Sequence, residues 1–105
     1  MQNEYGVLLD RNNYAPSVIE QGDGCYICGR TDRKMERHEA FHGPYRDKSK
    51  RLGCWVNLCS ECHHKLHHCG GGLDVGLKMR VQEEAMTHYG WTPEEFRARF
   101  GKNYI

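Results

Sequence analysis

"NLCSECHHKLHH", Asn57 to His68, packs two cysteines and four histidines into twelve residues, and the way they face decides the fold. Cys59 and Cys62 stand two residues apart, the spacing at which one turn of backbone aims two thiolates at a single metal ion. The same spacing occurs in "CYICGR", Cys25 to Arg30, where Gly29 lets the chain turn sharply. Two such pairs with thirty residues between them complete a tetrahedron from Cys25, Cys28, Cys59 and Cys62. Four thiolates leave no position for water or substrate, so the expected role is structural, with zinc as the ion. A redox C-x-x-C accounts for neither the second copy nor the adjacent histidines. Cys54 and Cys69 fall outside the pattern and read as buried or idle thiols.

Past Cys62 the pattern predicts a helix to about His68. His63 and His67 then lie one turn apart on one face, a spacing at which two imidazoles bind one metal. His64 and His68 share that spacing. The register favours His63 and His67, because His63 follows the cysteine pair directly and faces the strand expected over 34–41. The other two are left to solvent. "RHEAFH", Arg37 to His42, offers a third ligand from His38, Glu39 or His42.

The rest of the chain bounds the alternatives. A length of 105 residues is one domain's worth, and with 38 % apolar residues the chain buries little surface. A metal staple suits such a chain. The N-terminus has neither the basic nor the apolar region of a secretory leader, and no stretch reaches the roughly 18 to 20 apolar residues of a membrane helix. The expected setting is cytoplasmic, where paired cysteines beside histidines read as metal ligands rather than disulfides. Net charge is only +1, yet residues 30–51 carry eight Lys/Arg against four Asp/Glu. That excess suits a polyanionic partner, or simply a solvated loop.

Along the chain, Tyr5, Val7 and Leu9 suggest a short strand within 1–14. "KMERHEAF", 34–41, reads as a strand, "HGPYRDKSKRLG", 42–53, as a polar loop, and "CWVNLC", 54–59, as a second strand. "CGGG", 69–72, should stop the first helix. A second helix is predicted from Leu73 to His88, with Leu77, Val81, Met86 and Tyr89 on its apolar stripe and Gly90 ending it. Thr92-Pro93-Glu94-Glu95 opens a third helix with a capping box, carries Phe96 and Phe100, and stops at Gly101. Trp55 and Trp91 are expected in the core. Three segments result: an N-terminal extension, 1–24; a zinc-stapled core, 25–72; and a helical segment, 73–105.

These residues resemble the HNH, or ββα-metal, nuclease superfamily. "LCSECHHKLH", Leu58 to His67, is similar to the motif that opens that family's helix, and His38-Glu39 stands where its strand-ending pair lies. The resemblance covers about residues 25 to 68. With "FGKNYI" at the end of the chain, it is similar also to small HNH-like proteins of bacteriophage and prophage, some linked to recombination. The resemblance implies an α+β fold: a small zinc-stapled ββα-metal (HNH, treble-clef-like) domain with C-terminal helices. It implies metal-dependent endonucleolytic hydrolysis of DNA phosphodiesters. His38, His63 and His67 would hold a catalytic divalent ion such as Mg²⁺, Mn²⁺ or Ni²⁺, and the general-base position falls on Glu39. The family's base is usually His. Glu39 is therefore able to join the metal instead and leave that role to His42. The family's Asn position falls on Cys54, while Asn57 lies only two before Cys59. DNA phosphates would be met by Arg46, Lys48, Lys50 and Arg51, with a recombination or phage packaging protein as a further partner and no membrane. The alternative is a non-catalytic zinc-binding module that contacts nucleic acid or protein.

Overall fold

A computed structural model describes residues 1–69 and 71–105, the side chain of Cys69 excepted. The fold is α+β. Strands β1 (Met35–Glu39) and β2 (Trp55–Cys59) pair antiparallel, with Met35 opposite Cys59 and Glu39 opposite Trp55. β2 is Trp-Val-Asn-Leu-Cys, β-prone and buried everywhere except at Asn57, so both of its faces are covered. β1 buries only His38. The other four residues of β1 are half-buried or exposed, so His38 is the one that points into the domain.

The polar segment expected to loop across 42–53 is instead helical. A 3-10 turn, Gly43–Tyr45, leads into helix α1 (Arg46–Arg51). Ser49 is the reason. It is fully buried, its hydroxyl accepts from the Phe41 N–H at 3.2 Å and donates to the Cys54 carbonyl at 2.6 Å. One buried hydroxyl thus pins α1 across the open end of both strands, while the charged residues that suggest a loop sit on its outer face.

α2 (Ser60–Cys69) leaves β2 without a linker. α3 (Gly71–Tyr89) begins two residues earlier than its apolar pattern suggests, taking Gly71 and Gly72 into its first turn. Leu77, Val81 and Ala85 are its buried apolar face, with Gln82 beside them. Gln82 is satisfied there: its amide donates to Asn103 at 3.0 Å and accepts from the Tyr104 N–H at 2.7 Å. α4 (Pro93–Phe100) carries the expected capping box, with Thr92 accepting from the Glu95 N–H and Glu95 accepting from the Thr92 N–H, both at 3.2 Å. Gly101 ends it in the left-handed conformation.

No strand forms in 1–14. Gln2 and Leu8 make one isolated bridge, because Asn3 takes over the work of a partner strand. Its buried amide accepts from the Tyr5 and Val7 N–H groups and donates to the Arg51 carbonyl at 2.7 Å, which docks the turn on α1.

One hydrophobic cluster runs from Ile19 through β2 to Phe100 and includes residues of all three sequence segments. Phe41, just past β1, lies 5.2 Å from the Phe96 ring and 4.6 Å from Phe100. Trp55 and Trp91 are buried, as expected. Burial of Phe96 and Phe100 contributes on the order of 1.5–3 kcal/mol each, which ties α4 to the end of the strand that carries His38. Among the described residues, no helix is long and apolar enough to cross a membrane.

Candidate functional site

Cys25 and Cys28 sit on a turn closed by bonds from the Cys25 N–H to the Arg30 carbonyl and from the Gly29 N–H to the Cys25 carbonyl. Gly29 has φ +75°, the conformation its position in the knuckle requires. The Tyr26 N–H donates to the Asn57 carbonyl at 2.7 Å and hangs this turn on β2. Cys59 ends β2 and Cys62 lies in the first turn of α2. The four sulfurs all lie within 4.8 Å of one another, with Cys28 Sγ 3.8 Å from Cys59 Sγ. A disulfide needs about 2.05 Å. A tetrahedral site with metal–sulfur distances of 2.3 Å needs sulfurs about 3.8 Å apart. The cluster therefore has the dimensions of a metal site, and the four cysteines can hold an ion. Burial opposes ionisation of Cys25, yet N–H groups of Cys28, Cys59 and Ile27 outweigh it and bring the thiol down to about 6. Burial and the surrounding sulfurs push Cys62 up to about 12. Without a cation the cluster cannot hold four negative charges; with one, it can.

Of the remaining cysteines, Cys54 is a fully buried thiol whose ionisation is suppressed by burial. Cys69 lies outside the described side chains.

The second cluster is built on the same elbow. His63 and His67 project from one face of α2 with ring centroids 4.8 Å apart. His38 comes from β1, opposite Val56, with its ring 5.2 Å from His63 and 5.3 Å from His67. One nitrogen from each of the three lies within 4.8 Å of the others. His63 Nδ1 donates to Glu36 Oε1 at 2.8 Å, because a carboxylate only accepts, and in the neutral ring this leaves the lone pair on Nε2. That lone pair faces His38 Nδ1 at 3.3 Å. His38 Nε2 is buried and has no partner. Burial first, then the imidazoles of His63, His67 and His42, hold His38 down from 6.5 to about 4, so the ring is neutral near neutral pH. Burial first, then His63 and His42, also lower His67. Three imidazoles that converge, one of them with a buried ring nitrogen left without a partner, could hold a metal ion. His64 and His68 are exposed on α2, with ring centroids 4.2 Å apart, and neither belongs to the group of converging nitrogens.

The three imidazoles open onto a cavity of about 240 Å³ that is also lined by Arg37, Glu39, His42 and Arg46. Glu39 lies on the strand position after His38. Its Oε2 accepts from the Tyr14 hydroxyl at 2.8 Å, and Oε1 stands 3.5 Å from Arg46 Nε. Burial and this bond to Glu39 raise Tyr14 from 10.0 to about 12. His42 stands at the rim, with Nε2 3.8 Å from Asp74 Oδ1.

Of the four cations expected to meet DNA, Arg46 alone lines the cavity. Lys48 donates to the Arg99 carbonyl at 3.0 Å, Lys50 lies over the Tyr14 ring, and Arg51 donates to the Gln2 carbonyl. Sequence reasoning passed over Glu36, Arg37, Tyr14 and Asp74. Glu36 was legible from strand alternation, since it shares a face with His38. Arg37 was legible only as a member of the basic segment. It lies over the Tyr14 and Trp55 rings and is paired with Asp10, so its guanidinium is held at the cavity edge. Tyr14 and Asp74 come from outside the motif and had no local signal.

Comparison with known protein families, with curated proteins and with solved structures returns no match.

Proposed function

We propose that the chain is a metal-dependent endonuclease of HNH type that hydrolyses DNA phosphodiesters, with zinc in the four-cysteine site and a divalent ion held by His38, His63 and His67. The observation that carries this reading is the convergence of those three imidazoles in an open cavity edged by two guanidinium groups. Closed thiolate coordination suits a structural zinc, whereas three imidazoles leave positions for water and substrate. When bound, the divalent ion would polarise the scissile phosphate and stabilise the charge on the leaving 3′ oxygen. The chain itself does the positioning. Arg46, with a side chain 61 % exposed and only its Nε set against Glu39, can turn its remaining N–H groups to a phosphate, and Arg37, paired with Asp10, stands at the same edge. Glu36 keeps His63 in the donor tautomer.

A plasmid nicking assay with Mg²⁺, Mn²⁺ or Ni²⁺ tests the reading. Wild type is expected to cleave only with added metal, and His67→Ala to lose cleavage while keeping one zinc per chain. No metal-dependent cleavage of duplex, single-stranded or branched DNA would remove the nuclease. The second reading, a phage or host zinc module that binds nucleic acid or protein without chemistry, is favoured by the engagement of Glu39 with Tyr14 and Arg46. DNA binding without nicking would establish it.

A further inference from the structure

A second cavity, of about 380 Å³, adjoins the one that holds the imidazoles. Its volume falls in the range of small-ligand sites, about 300–1,000 Å³. Leu8, Ala15, Pro16 and Trp55 give it apolar walls, and Arg37 and Tyr14 close the side it shares with the first cavity. The walls are fixed by bonds of the fold. Asp10 Oδ1 accepts from the Asn12 and Tyr14 N–H groups at 2.9 and 3.0 Å, which shapes the turn ahead of Ala15. Trp55 Nε1 donates to the Ala15 carbonyl at 2.8 Å. Leu8 is tied through its backbone to Gln2, yet the residue is 70 % exposed, so its side chain stands in water at the lip.

Arg37 is the partition between the two spaces and lines both. Its guanidinium carbon lies 4.5 Å from the Tyr14 ring centroid and 4.7 Å from that of Trp55, and the group is paired with Asp10. It is thus held as an oriented plane rather than as a mobile charge. The side chain is still 39 % exposed, so part of that plane is open. Tyr14 spans the same partition: its ring lines the second cavity, and its hydroxyl donates to Glu39 in the first.

The two spaces differ in character, one cation-edged and polar, the other apolar. A nucleic-acid strand alternates in the same way, with an anionic phosphate and, one sugar away, a flat ring with an apolar face. Arg37, Arg46 and Lys50 stand around the pair of cavities against Asp10 and Glu39, and each acid is already paired. That excess of positive charge favours an anionic polymer over a second copy of this chain, whose own net charge is +1.

We propose that the second cavity takes an unpaired base of the nucleotide next to the phosphate in the imidazole cavity, with Arg37 stacked on the base and Leu8 covering it. This rests on the nuclease reading. A base inside a duplex is stacked and paired and is not free to enter, so the substrate class is single-stranded DNA, or a base turned out of the helix.

The test measures binding by fluorescence anisotropy with no divalent ion added, so that cleavage does not enter. The probes are a labelled oligodeoxythymidine strand, an abasic strand of equal length and a duplex of equal length. Wild type, Leu8→Ser and Arg37→Lys are compared, each carrying one zinc per chain. Wild type is expected to bind the base-bearing strand about tenfold more tightly than the abasic one, the low end for one stacked base. Leu8→Ser should reduce that preference to about threefold or less and leave duplex binding within about twofold of wild type. Arg37→Lys keeps the charge and loses the plane, so it should also reduce the preference while holding abasic affinity within about threefold. Equal wild-type affinity for the two single strands overturns the proposal. So does either variant that keeps the tenfold preference, or a Leu8→Ser loss as large on duplex as on single strand. Plasmid nicking with Mn²⁺ separates this outcome from the nuclease reading: nicking without base preference leaves the nuclease and removes the base site, and base preference without nicking does the reverse.

Discussion

Replacing Glu36 with Ala removes the acceptor that fixes His63. In the folded chain Glu36 Oε1 accepts from His63 Nδ1 at 2.8 Å, and the opposite nitrogen faces His38 at 3.3 Å. Without the carboxylate, the proton is free to move to Nε2, where it blocks the lone pair, and the ring is free to turn. Groups in this role change metal affinity by about 10- to 100-fold. Glu36 is 46 % exposed, so water replaces part of its effect and the lower end applies: about tenfold, or about 1.4 kcal/mol of binding free energy. Glu36→Gln keeps a carbonyl acceptor and loses only the charge, so it should fall between wild type and Ala. The assay is Co²⁺ titration of protein whose thiolate site already holds zinc, read by visible absorption and by calorimetry. Thermal unfolding is followed in parallel, and at so exposed a position it should change by less than about 0.5 kcal/mol. The reasoning is refuted if Glu36→Ala binds Co²⁺ as tightly as wild type, or if Gln and Ala weaken binding equally.

Two further outcomes follow from the packing. Cys25→Ser breaks the thiolate cluster that joins the first knuckle to β2 and α2, and it should cost several kcal/mol and lower Tm by about 15 °C or more; metal content by mass spectrometry should fall well below one zinc per chain, and full retention of zinc would contradict the ligand set. Gly53→Ala places a methyl group at φ +73° against the Pro16 carbonyl, where backbone meets backbone and neither yields cheaply. It should destabilise by about 2 kcal/mol or more. An unchanged denaturation midpoint would show that this turn is not held as described.

What the residues announced and what they concealed divide along the range of the interactions. The knuckles, the elbow into α2 and the pairing of His63 with His67 follow from spacings of two to four residues, and such spacings survive any tertiary arrangement. The α4 capping box is local in the same way. α1 was concealed because its signal is one serine, Ser49, whose bonds reach to Phe41 and Cys54. The turn at Asn3 was concealed because it is completed on Arg51, far along the chain. His38 could be nominated from the motif, but the surroundings of Glu39 and His42 depend on Tyr14 and Asp74, which no spacing rule connects to them.

The two clusters share one segment, and that sharing has a consequence for how the second is held in shape. β2 ends in Cys59, α2 begins a residue later, and His63 follows Cys62. The thiolates therefore set the angle at which α2 leaves the sheet, while strand pairing sets where His38 stands against it. Strand residues alternate between faces, so a slip of one residue in the β1–β2 register would carry His38 to the side now occupied by Tyr14 and Trp55 and bring Arg37 or Glu39 toward α2. Neither the thiolate elbow nor the strand pairing is sufficient alone. The register is pinned at one end by the Ala40 N–H to Cys54 carbonyl bond and at the other by Cys59 within the thiolate cluster. Burial then keeps the ring neutral, the form that offers a lone pair. The imidazole cluster is in this sense a product of the sulfur site, and its metal affinity should fall in any variant that loosens the sulfurs, even one that leaves all three histidines untouched.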